Sequence, residues 1–220
     1  MNRMDNGSSC LMFMETPAEE ICDYFGVGRF DYPPNRVEQG GWLVGRYMSR
    51  QPDCTQALVT HFLPATGCIG TPDYLDWPAM ENIRLQRRFA ALKEELEEND
   101  PGLARQICLL GWIHSHPNRL PVFLSTTDFE NIRDHFNDPH QFSVVLNPHT
   151  RNCEAFLGPA GCKVPSALYR PLVRYFCDRP DAPVEPPDET VPARQKKQKK
   201  SVYGKPPKRK RRKRGRKKGR

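Results

Sequence analysis

The sequence predicts a mixed α/β (α+β) fold, in which the strands of one sheet are accompanied by helices. Five apolar runs have the length and flanking residues of strands: residues 40–48, 55–63, 107–113, 141–147 and 152–157. Residues 78–99 space their apolar side chains as one face of a helix does, and residues 125–136 begin with a helix-start pattern. A chain of 220 residues is long enough for one hydrophobic core with additional segments.

The segments outside these elements are polar or rich in chain-breaking residues. Residues 1–35 form an N-terminal extension with a short helix near residues 15–25. Residues 64–77 are rich in Gly, Pro and Thr, which predicts a loop. Residues 164–177 have helical spacing interrupted by a proline. We expect the main domain to cover residues 36–178.

Charge divides the chain into an acidic body and a basic tail. Residues 194–220 contain 17 of the 34 Lys and Arg residues and no acidic residue. The preceding 193 residues contain 17 basic and 26 acidic residues, a net charge of −9. Residues 179–193 are rich in proline and acidic residues, which predicts an extended linker. We expect the basic tail to be disordered.

The tail predicts a partner of opposite charge. Non-specific attraction of residues 194–220 to nucleic acid phosphates, weakening steeply with salt, is one interpretation. A nuclear-import signal, a patch for acidic protein or membrane surfaces, and a solubilising tail without a specific partner are the alternatives.

Composition also bears on the cellular compartment in which the protein is expected. No apolar run approaches the length of a membrane span, and the N-terminal apolar run, Cys10 to Met14, is too short for the apolar region of a signal peptide. The eight cysteines are scattered without a Cys-x-x-Cys pair, so a disulfide framework is not expected. We expect a cytoplasmic location, with nucleoid or nuclear association through the basic tail as a further option.

Polar residues that suit a metal site follow the strand predicted at residues 107–113. His114 and His116 are two residues apart, so both side chains point to the same face of a strand. Ser125 and Asp128 form a Ser-x-x-acid pattern that is typical of a helix start, which would direct Asp128 back toward the histidines. Two imidazoles and one carboxylate match a catalytic zinc site with an open position. An incidental His-x-His on a strand is the alternative, and chemistry alone leaves both open.

The other histidines and nearby cysteines match no metal motif. His61 lies within a predicted strand, where a local hydrogen bond is favoured over a catalytic role. A second metal site is disfavoured for the scattered loop and core residues His135, His140, His149, Cys153 and Cys162.

The His-Ser-His-Pro and Ser-x-x-Asp motifs together resemble the signature of the JAMM (MPN-plus) metalloproteases. That family cleaves isopeptide bonds to ubiquitin and ubiquitin-like proteins, and it also has a glutamate just before a Gly-rich apolar strand. Glu38 precedes such a stretch here, and Gly111-Trp112 resembles the usual lead-in to the first histidine. The resemblance covers residues 36–177. It implies an MPN/JAB-like, cytidine-deaminase-like mixed sheet flanked by helices.

The resemblance also implies the roles of the site residues. His114, His116 and Asp128 would hold one Zn²⁺ per chain, Glu38 would act as general base, and Ser125 would donate a hydrogen bond to the oxyanion. Eight residues separate His116 from Ser125, one more than the family usually has, which we interpret as a loop insertion.

The substrate that the resemblance implies is an amide bond at the C-terminus of a ubiquitin-like protein or a related peptide. Such a tail would bind as an added strand, and residues 64–77 are the predicted edge. The alternatives are a catalytically silent MPN scaffold and a nucleic-acid-associated protein in which the zinc site is structural.

Overall fold

The structure is a computed structural model that describes residues 9–28 and 36–164. The predicted linker, the basic tail and the helix predicted near the C-terminal end of the main domain lie outside these residues, except that Val164 belongs to the last strand.

Within the described residues the chain forms nine strands and four helices. In chain order they are β1 (Cys10–Phe13), α1 (Glu15–Tyr24), β2 (Gly40–Gln51), β3 (Cys54–Pro64), β4 (Ile69–Thr71), β5 (Tyr74–Asp76), α2 (Ala79–Asn99), α3 (Pro101–Ala104), β6 (Cys108–Ser115), α4 (Thr126–His135), β7 (Phe142–Asn147), β8 (Asn152–Leu157) and β9 (Cys162–Val164).

Seven of the strands form one mixed sheet with the order β1-β3-β2-β6-β7-β8-β9. The pairs β1–β3 and β6–β7 are parallel, and the other neighbouring pairs are antiparallel. Strands β4 and β5 form a separate two-stranded hairpin. The predicted mixed α/β class is therefore confirmed, with helices flanking a mixed sheet.

The alternation of side chains along the central strands divides the core between the two faces of this sheet. On one face, Leu43 of β2 and Ile113 of β6 pack in the cluster that contains Ile21 of α1. On the other face, the neighbouring residues Trp42 and Trp112 pack in a second cluster. That cluster includes Leu85 from α2 and Ile132 and Phe136 from the α4 region. Helices thus cover both faces, and the second face carries the site described below.

A glycine allows β6 and β7 to approach each other closely just before the site. Gly111 has a φ of +145°, and a Cβ atom there would lie 1.8 Å from the carbonyl oxygen of Phe142. Any side chain would therefore push β7 away from β6. Beside Gly111 the β2–β6 register shifts between Leu43 and Val44, so an extra residue of β6 is accommodated as a bulge.

The predicted strands and helices are found with shifts of a few residues at their ends, and the helix near residues 15–25 is α1. Three short regions of strand were not predicted as such, and one of them is β9, whose Val164 was predicted to begin a helical segment. The predicted loop at residues 64–77 contains β4 and β5, whose three residues each are too few to show alternation. Strand β1 lies in the predicted N-terminal extension and pairs with β3, so the sheet begins upstream of residue 36.

The longest helix, α2, is strongly charged along its exposed face. No helix among residues 9–28 and 36–164 has the length and apolarity that crossing a lipid bilayer requires.

Candidate metal centre

Both histidines of the predicted motif lie at the carboxyl end of β6. His114 pairs with Gly40 of β2 on one side and with Val145 of β7 on the other. His116 follows the end of β6, and its N–H donates to the carbonyl of Leu146 at 2.8 Å, so extended pairing with β7 continues past the strand. The two-residue spacing puts both imidazoles on the face of the sheet that carries Trp112.

An aromatic stack supports the first histidine. The imidazole of His114 stacks on the indole of Trp112 with a centroid distance of 4.4 Å and an interplanar angle of 13°. Trp112 in turn stacks on Phe136 at 5.3 Å, and its Nε1 donates to Ser143 Oγ at 2.8 Å. His114 and Trp112 have no exposed surface. The ring of His114 is therefore held in one plane by packing from beneath.

A reciprocal cap at the start of α4 orients the carboxylate. Ser125 is the N-cap residue, and its Oγ accepts a hydrogen bond from the Asp128 N–H at 3.2 Å. Asp128 Oδ2 accepts from the Ser125 N–H at 2.6 Å, which completes a capping box. The predicted helix-start pattern is confirmed, and it places Asp128, which is 3 % exposed, in the first helical turn beside the histidines.

Three potential ligand atoms converge at this point. The Nε2 atoms of His114 and His116 lie 3.2 Å apart, and they lie 3.1 Å and 3.8 Å from the two carboxylate oxygens of Asp128. Two nitrogens bound to a tetrahedral zinc at about 2.0–2.1 Å would lie about 3.3–3.4 Å from each other. The three residues therefore fit one small metal ion, and no other such group of His, Cys, Asp and Glu occurs in the described part of the chain.

The tautomer of His116 leaves the correct nitrogen for a metal. Its Nδ1 lies 2.7 Å from the carbonyl oxygen of Pro121, and a carbonyl oxygen can only accept, so Nδ1 carries the proton. Nε2 then faces His114 and Asp128 with its lone pair when the ring is neutral. The Nδ1 of His114 is buried and has no hydrogen-bond partner among the described residues. Packing on Trp112, rather than a hydrogen bond, fixes that ring.

The electrostatics of the site favour an ionised Asp128. Burial alone would raise the pKa of Asp128. The charge on His114 and the hydrogen bonds from His114, His116 and Ser125 outweigh burial and hold this pKa well below its usual range. For His116, burial alone would lower the pKa, but the hydrogen bonds to Asp128 and to the Pro121 carbonyl leave it raised.

The predicted catalytic glutamate lies on the same face as the two histidines. Gly40 pairs with His114, and the Ser115 N–H donates to the Gln39 carbonyl at 2.9 Å, so the β2–β6 ladder continues toward residue 38. Antiparallel pairing then sets Glu38 opposite His116, with its side chain on the shared face. Glu38 is 6 % exposed. Burial raises its pKa, and the charges on His114 and His116 offset only part of that effect.

The β4–β5 hairpin covers the backbone of Glu38. The Glu38 N–H donates to the carbonyl of Thr71 at 2.8 Å. A Cβ atom on Gly70 would lie 1.8 Å from the Glu38 carbonyl oxygen, so this close approach requires a glycine. Residues 64–77, predicted as a substrate edge, therefore lie directly against the segment just before β2 that bears Glu38.

The remaining histidines lie outside this cluster, and three of them have a hydrogen-bonding group close to the ring. His61 Nδ1 is 2.9 Å from Thr60 Oγ1, His140 Nδ1 is 2.7 Å from Thr55 Oγ1, and His135 Nδ1 is 3.2 Å from Asn82 Nδ2. The local interpretation of His61 agrees with this geometry.

Two residues that hold the site were missed in the sequence. Pro121 acts through its backbone carbonyl. Every residue has a backbone carbonyl, so the identity of residue 121 did not predict this contact. Asn147 contacts the loop that carries Pro121, and an asparagine before a proline at the end of an apolar run indicates only a turn.

No protein-family model matches the chain, and no curated protein matches it significantly. The chemical interpretation of the site therefore rests on its own geometry and on the motifs in the sequence.

Proposed function

We propose that the chain is a zinc-dependent isopeptidase or peptidase of the JAMM type, with an MPN/JAB-like fold. The observation that carries the proposal is the convergence of His114, His116 and Asp128, with ligand atoms 3.1–3.8 Å apart, on the face that also bears Glu38. Three ligands of this chemistry leave one position open on a tetrahedral metal, as in catalytic rather than structural zinc sites.

The residues divide the work between metal binding and proton transfer. When bound, zinc would polarise the scissile carbonyl and lower the pKa of a water molecule from 15.7 to about 7. Glu38 accepts the proton of the attacking water and delivers it to the departing amine nitrogen. Its burial supports both steps, because a raised pKa lets the carboxyl group hold the proton between them.

Ser125 is the proposed oxyanion donor. Its Oγ already accepts the Asp128 N–H, and a hydroxyl that accepts one hydrogen bond can still donate its own proton. Donation to the oxygen of a tetrahedral intermediate would stabilise the developing negative charge, an effect typically worth roughly 100- to 1,000-fold in rate. The same residue would therefore cap α4 and serve the reaction.

The proposed substrate is the extended C-terminal tail of a ubiquitin-like protein or a related peptide. The β4–β5 hairpin lies against Glu38, and its side chains Ile69 and Tyr74 are 64 % and 44 % exposed. An extended tail added along this hairpin would gain backbone hydrogen bonds and apolar contacts. Phe123, which packs edge-on against His116 with a centroid distance of 5.3 Å, would bound the opening on the other side.

The test is a cleavage assay with zinc-loaded protein. The substrate is a ubiquitin-like protein with a C-terminal Gly-Gly joined by an amide bond to a reporter amine. We expect cleavage by the wild type and a loss of roughly 100- to 10,000-fold in rate in Glu38→Gln, the range for removing a general base. Zinc content should be unchanged, because Glu38 is not a ligand.

The matched control is Glu130→Gln, which makes the same chemical change at an exposed position on α4. It should cleave at the wild-type rate. Equal rates in Glu38→Gln and the wild type would contradict the role of Glu38. Zinc binding without cleavage of such amides would contradict the proposed enzymatic activity and favour a catalytically silent MPN scaffold.

A further inference from the structure

A fully buried asparagine stands beside the metal centre at the end of β7. Asn147 has no exposed surface, and its four side-chain hydrogen bonds with described residues go to backbone groups. A buried amide that is satisfied in this way restrains every segment it touches, because breaking any one bond leaves a buried polar group without a partner.

The two ends of this amide hold different parts of the chain. Oδ1 accepts from the backbone N–H groups of His149 and Thr150, each at 2.8 Å, and thereby shapes the turn between β7 and β8. Nδ2 donates to the carbonyls of Asn118 and Leu120 at 3.2 Å and 2.7 Å. The second pair belongs to the loop between His116 and α4.

That loop, residues 117–124, carries a contact that the metal centre needs. Its Pro121 carbonyl accepts the Nδ1 proton of His116, one residue beyond the Leu120 carbonyl that Asn147 holds. The loop is also where the chain is one residue longer than the JAMM motif usually is. Asn118 within it has a φ of +59°, so the loop turns sharply just after His116.

We propose that Asn147 is a positioning residue for the metal centre. Its side-chain hydrogen bonds hold residues 118–120 in place. The Pro121 carbonyl is then positioned to orient the His116 ring with Nε2 directed at the metal. The inference rests on the proposed function, since it assumes that His116 is a metal ligand. Partners that orient ligating histidines in this way typically contribute 10- to 100-fold in metal affinity.

Asn147→Asp separates the two tasks of the side chain. An aspartate keeps the acceptor for the His149 and Thr150 N–H groups, so the β7–β8 turn remains. It replaces the donor with a carboxylate oxygen that faces two carbonyl oxygens, so the clamp on the loop is lost. We expect zinc to bind roughly 10- to 100-fold more weakly at neutral pH, measured by competition with a chromophoric chelator.

A purely structural role predicts a different pattern. The control Thr55→Val removes the side-chain hydrogen bond between Thr55 Oγ1 and His140 Nδ1, at the end of β3 far from the metal centre. If the affinity loss only reflected lower stability, Thr55→Val would also weaken zinc binding. We expect it to bind zinc like the wild type. Wild-type zinc affinity in a folded Asn147→Asp protein would overturn the proposal.

A second variant covers the case in which Asn147→Asp does not fold. Pro121→Gly changes an exposed residue and keeps the carbonyl but loosens the backbone that presents it. It should fold and bind zinc measurably more weakly, with an altered visible spectrum when Co²⁺ replaces zinc. Unchanged affinity and an unchanged Co²⁺ spectrum would overturn the proposal. A wild type that binds no metal would instead reject the proposed function itself.

Discussion

Histidine and carboxylate side chains lie near both ends of strand β2, but their surroundings differ. At the far end, Thr55 Oγ1 lies 2.7 Å from His140 Nδ1, and the Tyr47 hydroxyl donates to the His140 carbonyl at 3.1 Å. Arg50 pairs there with Asp138, which also accepts the His140 N–H. Every one of these contacts joins a donor to an acceptor.

The end of β2 near Gly40 lacks such a cationic partner. The two imidazoles and the carboxylate of Asp128 direct Nε2 and oxygen atoms at one another, and no Lys or Arg among residues 9–28 and 36–164 makes an ion pair with Asp128. Buried groups of this kind need protons or a metal ion between them. The comparison indicates that a histidine beside a carboxylate is not by itself a metal site. What distinguishes the site is the convergence of two Nε2 atoms and a carboxylate with no described Lys or Arg beside them.

The largest effect should be the loss of bound zinc when ligand side chains are removed at the metal centre. The same types of substitution at the far end of β2 serve as the comparison. His114→Ala and Asp128→Asn each remove one of three ligand atoms, and we expect bound zinc to fall from about one ion per chain to near zero. Asparagine at 128 can still accept the Ser125 N–H, so loss of the helix cap would not explain the result. Metal content is measured by mass spectrometry after gel filtration.

The paired substitutions at the far end are His140→Ala and Asp138→Asn. Both should retain the full zinc content, because their side chains contact Thr55 and Arg50 rather than the metal centre. Equal loss of zinc at both ends would mean that zinc binds histidines non-specifically. The different side-chain surroundings at the two ends of β2 would then not explain where zinc binds.

The ligand residues were predictable because local pattern determines their placement. Strand alternation sets His114 and His116 on one face, and the Ser125-to-Asp128 cap sets the carboxylate in the first turn of a helix. Each of these relations acts within four residues, which is the range over which sequence periodicity carries structural information. The five longer strands, β2, β3, β6, β7 and β8, and the helices α2 and α4 were predictable for the same reason.

The long-range parts of the site were not predictable from pattern alone. Glu38 is set opposite His116 only because β2 pairs with β6 in one particular register. Local pattern does not reveal that register, since the neighbouring hydrogen-bonded pair Gln39 and Ser115 is 76 positions apart. The assignment of Glu38 came from the JAMM resemblance. The contact of Asn147 with the loop spans 27 and 29 positions and joins a side chain to backbone carbonyls of arbitrary residue type. The sequence of the loop therefore contains no pattern that predicts such contacts.

Metal binding should stabilise the protein measurably. A zinc ion that binds only the folded state at 100 times its dissociation constant raises the free energy of unfolding by about 2.7 kcal/mol. We expect this increase in chemical denaturation of the wild type, and its absence after chelation or in Asp128→Asn. A similar increase in Asp128→Asn would show that zinc stabilises the fold through some other part of the chain.

The smallest effect tests whether the two ends are independent. Thr55→Val removes one buried hydrogen bond at the far end, which should lower the free energy of unfolding by about 1 kcal/mol. The residue lies ten or more strand positions from Gly40, roughly 30 Å along β2, and effects at such separations usually add. The decrease should therefore be equal with and without zinc, as measured by denaturant unfolding under both conditions. A decrease that depends on zinc would mean that the sheet couples the two ends, and that the polar cluster around His140 contributes to the shape of the metal centre.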